Sequence, residues 1–101
     1  MILGTAYSVN NIPVRLTDER WEHILHEHAE FAYNDSNMIL EAVEDPEYIL
    51  PGRRGSCVAV VVLGRGSYLH VFCKEVSAKD GFIITAGIRP KMDKKKIIWR
   101  K

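Results

Sequence analysis

Two strand-like segments in the second half of the chain, Ser67–Val76 and Phe82–Ile88, contain the residue types that could do chemistry. Side chains alternate between the two faces of a strand. One face of the first segment is therefore apolar and comprises Leu69, Val71 and Cys73. The other face is mixed and comprises Tyr68, His70, Phe72 and Lys74.

The turn between these segments sets which residues of the second strand share the face of Lys74. A four-residue turn, Ser77–Asp80, places Gly81 opposite Val76. In that register, four residues lie on the face of Lys74: Ile83, Thr85, Gly87 and Arg89. The intervening residues join the apolar face, which is expected to take the helices: Phe82, Ile84, Ala86 and Ile88.

A histidine, a lysine, a hydroxyl and an arginine on one sheet face are the set that phosphodiester cleavage needs. A base removes the proton of the 2′-hydroxyl, an acid protonates the leaving oxygen, and cations stabilise the charge that develops on phosphorus. A polar sheet face that only contacts solvent has the same composition. The pattern is therefore consistent with two interpretations, a functional face and a face that only contacts solvent.

A helix is predicted from about Asp18 to Tyr33, with Thr17 as its N-cap, because apolar residues recur there at spacings of three and four. His28 falls within this buried stripe, as a core histidine or at the rim where helix meets sheet. His23 and His26 fall on the opposite, solvent-facing side. No third ligand follows them and HEXXH is absent, so neither a metal nor a cofactor is predicted.

The rest of the chain predicts a second helix and further strands. The helix runs roughly over Asn37–Glu44, where Asp45-Pro46 ends it. Met1–Leu16 is expected to be a short edge strand or an extended lead-in. This order predicts one α+β domain over residues 1–101, with two N-terminal helices packed on one face of a four- to five-stranded antiparallel sheet.

Charge is distributed unevenly, although the net charge of the 101 residues is only +1. Eight acidic residues and one arginine lie between Asp18 and Glu44, whereas seven lysines or arginines and one aspartate follow from Arg89 onward. This asymmetry favours an anionic partner at one end of the domain, or a solvated basic tail.

The sequence also bears on location. No signal peptide and no apolar run of the ~20 residues that span a membrane is visible. Cys57 and Cys73 lie in apolar runs and are predicted to be free thiols in the reducing cytoplasm.

Three groups of residues carry a resemblance to a known family. They are Thr17-x-x-Arg20-Trp21-x-His23-Ile24-x-x-x-His28, then Ile39 with Asp45-Pro46-Glu47, then Lys74-Glu75 with Ile84-Thr85-Ala86. In this order they resemble the PBECR-type domains of the barnase–EndoU–colicin–RelE nuclease superfamily, over roughly Val14–Trp99.

The resemblance implies a small metal-independent endoribonuclease, a toxin or phage-linked effector, that leaves a 2′,3′-cyclic phosphate. It implies a catalytic helix histidine, His23 or His28, together with Lys74 and Thr85. Substrate binding is assigned to Arg53, Arg54, Tyr68, His70, Arg89 and Lys91. The expected partners are RNA and a cognate antitoxin protein, and the chain is expected to be a monomer or weak dimer. The alternative is a non-catalytic nucleic-acid or protein-binding module that uses the same face.

Overall fold

The computed structural model describes all residues, Met1–Lys101. Two helices, α1 (Asp18–Glu27) and α2 (Ser36–Glu44), pack on one face of a seven-stranded sheet. Its strands are β1 (Ile2–Tyr7), β2 (Pro13–Thr17), β3 (Tyr48–Pro51), β4 (Cys57–Gly64), β5 (Ser67–Ser77), β6 (Asp80–Arg89) and β7 (Trp99–Arg100). Their spatial order is β1-β2-β6-β5-β4-β3-β7.

The predicted fold class is wrong in its topology, because two strands precede the helices and the sheet has seven strands and is mixed. β1 and β2 form an antiparallel hairpin whose turn contains Asn11 at φ 60, a left-handed conformation that asparagine tolerates. β2 then pairs in parallel with β6, through Val14–Gly81 and Arg15–Phe82. The N-terminal segment is thus a built-in part of the sheet, and its partner strand lies far along the sequence.

α1 begins as predicted but ends earlier. The Arg20 N–H donates to Thr17 Oγ1 at 3.2 Å, which caps the first turn. The helix ends at Glu27, six residues before Tyr33, and His28 is its C-cap. Phe31 nevertheless reaches the core, with its ring centroid 6.1 Å from that of Trp21. Phe31 fits the apolar spacing of the helix although it lies beyond the end of α1, because the loop after α1 places its ring in the core.

The main core lies between the helices and the sheet. Trp21 and Ile24 of α1 and Ile39 of α2 pack there with Leu69 and Val71 of β5. A smaller cluster on the opposite face contains Leu50, Val58 and Val60, with Tyr48, Tyr68, Phe72, Met92 and Ile97 packed against it. Neither helix has the length and apolar character needed to cross a membrane.

The register of β5 and β6 matches the prediction only beyond a bulge. Thr85 pairs with Phe72 and Arg89 with Tyr68, as predicted. The turn is shorter than predicted, and irregularities near Val76 and Ile84 shift the register between them. Ile83 consequently pairs with Cys73 in the main core and Phe82 pairs with Lys74, the reverse of their predicted faces. Ile84, predicted on the apolar face, lines the opposite face.

A basic groove as the candidate functional site

The face of the sheet opposite the helices carries an open groove of about 1060 Å³. Its floor is formed by β5 and β6, and its walls by the segments 51–56 and 89–96. Six lysines and arginines line it: Arg53, Arg54, Lys74, Arg89, Lys91 and Lys96. Asp93 is the one acidic residue among the lining residues. The groove is therefore strongly basic, although the whole chain is nearly neutral.

The floor aligns three polar side chains. His70 and Lys74 lie on the same face of β5, separated by Phe72, and Thr85 of β6 pairs with Phe72. Diagonal neighbours on one face of an antiparallel pair are about 7–8 Å apart. Thr85 thus lies between His70 and Lys74 on the adjacent strand, and all three residues line the groove.

His70 is the buried polar residue of the floor, with 4% of its surface exposed. Its Nδ1 lies 3.1 Å from the Tyr68 carbonyl oxygen, which can only accept, so Nδ1 carries the proton. Nε2 makes no hydrogen bond within the chain. Because no fully buried polar side-chain atom of the protein lacks a hydrogen-bond partner, Nε2 is accessible, and it opens onto the groove that His70 lines.

The surroundings of His70 favour its neutral form. Burial lowers the pKa of the His70 imidazole, and the positive charge of Arg89 lowers this pKa further, against the raising effect of the bond to Tyr68. At pH 7, His70 therefore presents an unprotonated Nε2 to the groove, and this atom can accept a proton.

Aromatic residues hold Arg89 over the floor. Its guanidinium carbon lies 5.1 Å from the centroid of the Phe72 ring, a cation–π distance. The Phe72 ring in turn stacks at 6.5 Å from that of His70. Tyr68, predicted as a binding residue, lies on this face opposite Arg89 but packs into the smaller cluster beside the groove.

A short loop between β3 and β4 places two arginines on the rim. Residues Arg53–Gly55 form a 3₁₀ turn in which Arg54 has φ 53. The Ser56 hydroxyl donates to the Arg53 carbonyl at 2.6 Å, and the Gly52 N–H donates to the Ser56 carbonyl at 2.9 Å. These bonds fix the loop, while the side chains of Arg53 and Arg54 remain exposed beside the groove.

The helix histidines are not brought into the groove. His23 is exposed on α1, where its Nε2 lies 2.8 Å from Glu27 Oε1. His28 lies at the edge of β6: its Cε1 is 3.4 Å from where a Cβ on Gly87 would stand, and Gly87 pairs with His70. Neither histidine is a lining residue. Nowhere do three or more histidines, cysteines or acidic residues gather in a group that could hold a metal ion.

The lysines of the basic C-terminal segment do not all face the groove, because a capped turn orients them differently. Asp93 begins a 3₁₀ turn over Lys94–Lys96, and its carboxylate accepts from the Lys95 N–H at 3.1 Å. This turn directs Lys96 to the groove, whereas Lys94 and Lys95 do not line it. Sequence reasoning missed this division, although an aspartate before a helical turn is a recognised capping signal.

Comparison with protein-family models, with curated proteins and with solved structures found no match for this chain. The charge of the groove indicates what it can bind. Six cations around a neutral histidine favour an anion with several negative charges, because one phosphate would engage only some of them.

Proposed function

We propose that the protein is an endoribonuclease that binds single-stranded RNA in the basic groove and cleaves it through the 2′-hydroxyl. The observation that carries this proposal is the neutral His70, whose unpaired Nε2 lies on the same groove floor as Lys74 and Thr85. A single strand can separate its bases and bring the 2′-oxygen in line with the bond to be broken.

In the proposed reaction, Nε2 of His70 accepts the proton of the 2′-hydroxyl, and the 2′-oxygen attacks phosphorus. The Lys74 ammonium and the Arg89 guanidinium stabilise the charge on the phosphorane, and the Thr85 hydroxyl donates to a non-bridging oxygen. The bond from phosphorus to the 5′-oxygen breaks, that oxygen takes a proton from water in the open groove, and the resulting hydroxide takes the proton from the His70 imidazolium, which restores neutral His70. The products are a 2′,3′-cyclic phosphate and a 5′-hydroxyl.

His70 takes the role that the resemblance gave to His23 or His28. His23 lies on the exposed surface of α1 and already pairs with Glu27. His28 contacts the edge of β6 at Gly87, so it supports the floor from the side instead of facing the phosphate.

A second candidate function is RNA binding without cleavage. The observation that favours it is the burial of His70, of which only 4% is exposed, so a base there has little surface to offer a substrate. The cations on the rim would serve binding equally well in this case.

Cleavage of a labelled oligoribonucleotide in the presence of EDTA tests the proposal. We expect a 2′,3′-cyclic phosphate product, and a 10²–10⁴-fold loss of turnover in His70→Gln, the usual worth of a general base. His26→Gln, at an exposed helix position, is the matched control and should keep full turnover. An oligonucleotide with a 2′-O-methyl group at the cut site should bind and remain intact.

The pH profile adds a second readout. Because burial and Arg89 lower the pKa of His70, the rate should rise with pH through a value below about 6.5 and stay level above it. Binding without any cleavage would establish the second candidate. If the protein neither binds nor cleaves RNA, RNA is excluded as the ligand of the groove.

The wider biological setting stays a prediction from the sequence. This applies to the cytoplasmic location, the toxin role, the cognate antitoxin and the monomeric or weakly dimeric state. An antitoxin that blocks this groove would have to present acidic side chains to its six cations.

A further inference from the structure

A second cavity, of about 260 Å³, lies on the helix side of the sheet. Its walls come from the turn between β1 and β2, from Val43 of α2 and from the C-terminal segment at Ile98 and Trp99. Most of its lining is apolar, and two thiols, Cys57 and Cys73, form part of it. No residue that lines the basic groove also lines this cavity.

The two thiols are positioned to react with each other. Cys57 of β4 pairs directly with Cys73 of β5, and their Sγ atoms lie 3.4 Å apart. Directly opposed residues in an antiparallel pair have Cα atoms about 4.5–5.5 Å apart. Disulfides join Cα atoms about 4.4–6.8 Å apart, so the strands need not move for a bond to form.

The two cysteines are not equivalent. Cys57 is half-buried, whereas 2% of Cys73 is exposed. The contact between the thiols lowers the pKa of Cys57 and raises the pKa of Cys73. Cys57 is therefore the thiol that ionises and can be reached, and Cys73 is a protonated thiol held beside it.

A polar wall closes the cavity next to the thiols. The Ser8 hydroxyl donates to Glu75 Oε2 at 2.5 Å, and the Asn10 side-chain amide donates to Glu75 Oε1 at 3.0 Å. These bonds fasten the turn between β1 and β2 to β5 and stabilise the ionised carboxylate of Glu75. The negative charge of Glu75 opposes ionisation of Cys57, but less strongly than the Cys73 hydrogen bond favours it.

We propose that Cys57 and Cys73 form a modification site for hydroperoxides, in which oxidation of Cys57 is followed by an intramolecular disulfide. The Cys57 thiolate attacks the terminal oxygen of the hydroperoxide, the O–O bond breaks, and an alcohol or water leaves with a proton. This gives a sulfenic acid at Cys57. The Cys73 sulfur then attacks the Cys57 sulfur, and the hydroxyl leaves as water with the Cys73 proton. Two thiols lose two electrons, and the peroxide gains them.

Intact-mass measurement of the reduced, native protein treated with hydrogen peroxide tests this site. We expect both thiols to lose reactivity to alkylation together, the mass to fall by two hydrogen atoms, and a reductant to reverse both changes. The rate should rise with pH as the Cys57 thiol, whose pKa is lowered, ionises. It should also exceed severalfold the rate at which the same chain loses its thiols in denaturant.

Two variants separate the roles of the thiols. In Cys73→Ser, a sulfenic acid should accumulate at Cys57 and be captured by dimedone. In Cys57→Ser, the native protein should leave Cys73 unmodified. The proposal would be overturned if the thiols of the native wild-type protein stayed reduced at peroxide levels that oxidise the denatured chain. It would also be overturned if disulfides formed only between chains. None of these readouts depends on RNA cleavage.

Discussion

The helix-covered face and the open face of the sheet share strands β4, β5 and β6, yet they are completed by different parts of the chain. On the covered face, Leu69 and Val71 are fully buried beneath the helices. On the open face, Phe72 and Lys74 are half-exposed, and the covering segments contribute arginines and lysines. From Leu69 to Lys74, the residues of β5 therefore alternate between the core and the groove, and single substitutions can test the two faces separately.

The open face is polar at its rim and apolar underneath. Leu50, Val58 and Val60 form a small cluster there, and the Phe72 ring supports the Arg89 guanidinium. This arrangement places long, exposed cations around a fixed floor. The difference between the faces is that the covered face depends on close packing, whereas the open face depends on charge placed above a rigid surface.

The largest effect on stability is expected from the covered face. Trp21 is 1% exposed, and its Nε1–H donates to the Tyr33 carbonyl at 2.8 Å. Trp21→Ala should lower the free energy of unfolding by about 3–5 kcal/mol, as large aromatic truncations in cores do. Denaturant melts measure this loss. Tyr33→Ala, at a side chain that is 71% exposed, is the control and should change stability little. A loss below about 1 kcal/mol for Trp21→Ala would contradict the assignment of this face as the main core.

The largest effect on activity is expected from the open face. A fixed cation near the phosphorane stabilises the transition state more than the bound substrate. Lys74→Ala should therefore lower turnover by about 10²–10³-fold, with denaturant melts unchanged within about 0.5 kcal/mol. Lys79→Ala, in the exposed turn between β5 and β6 and outside the groove, should leave turnover unchanged. Wild-type turnover in Lys74→Ala would remove Lys74 from the proposed site.

The division into two faces was predictable from the sequence, because alternation along β5 needs only local information. Leu69, Val71 and Cys73 lie in the main core, and Lys74 and Thr85 line the groove. The bulges were not predictable, because an extra residue in one strand leaves the apolar pattern almost unchanged. Ile83 and Phe82 were consequently assigned to the wrong faces.

The helix histidines show what the resemblance alone could not decide. The alternation already placed the helices on the apolar face of the sheet, and an exposed residue of such a helix points away from the opposite face. His23 is such a residue, and it pairs with Glu27 on the surface of α1. The parallel pairing of β2 with β6 was also beyond sequence reasoning, because it joins residues that are remote along the chain.

The lysine run offers a smaller but cleaner test of the groove. Lys91 and Lys96 line it, and Lys94 and Lys95 do not. Single-stranded RNA binding should lose roughly 0.7 units of salt slope for each phosphate contact removed, so Lys91→Gln with Lys96→Gln should flatten the slope by about 1.4. Lys94→Gln with Lys95→Gln has the same charge change and should leave the slope as it is. Equal slopes for the two double variants would mean that RNA does not follow the groove.

The smallest effect is expected at Thr85, which shares the floor with Lys74 but carries no charge. Thr85→Val replaces the hydroxyl with a methyl group of similar shape, so the half-buried site stays filled. The loss is then one neutral hydrogen bond to the phosphate, about 0.5–1.5 kcal/mol, which corresponds to roughly a 2- to 12-fold fall in turnover.

Thr85→Ser is the matched control, because it keeps the hydroxyl and removes the methyl group. If the hydroxyl orients the phosphate, Thr85→Ser should keep more turnover than Thr85→Val. The reverse order would mean that the methyl group matters by packing on the floor beside Phe72, and that Thr85 does not contact the substrate. A loss in Thr85→Val as large as that in Lys74→Ala would contradict the view that the charge of Lys74 contributes more to catalysis than the neutral hydrogen bond of Thr85.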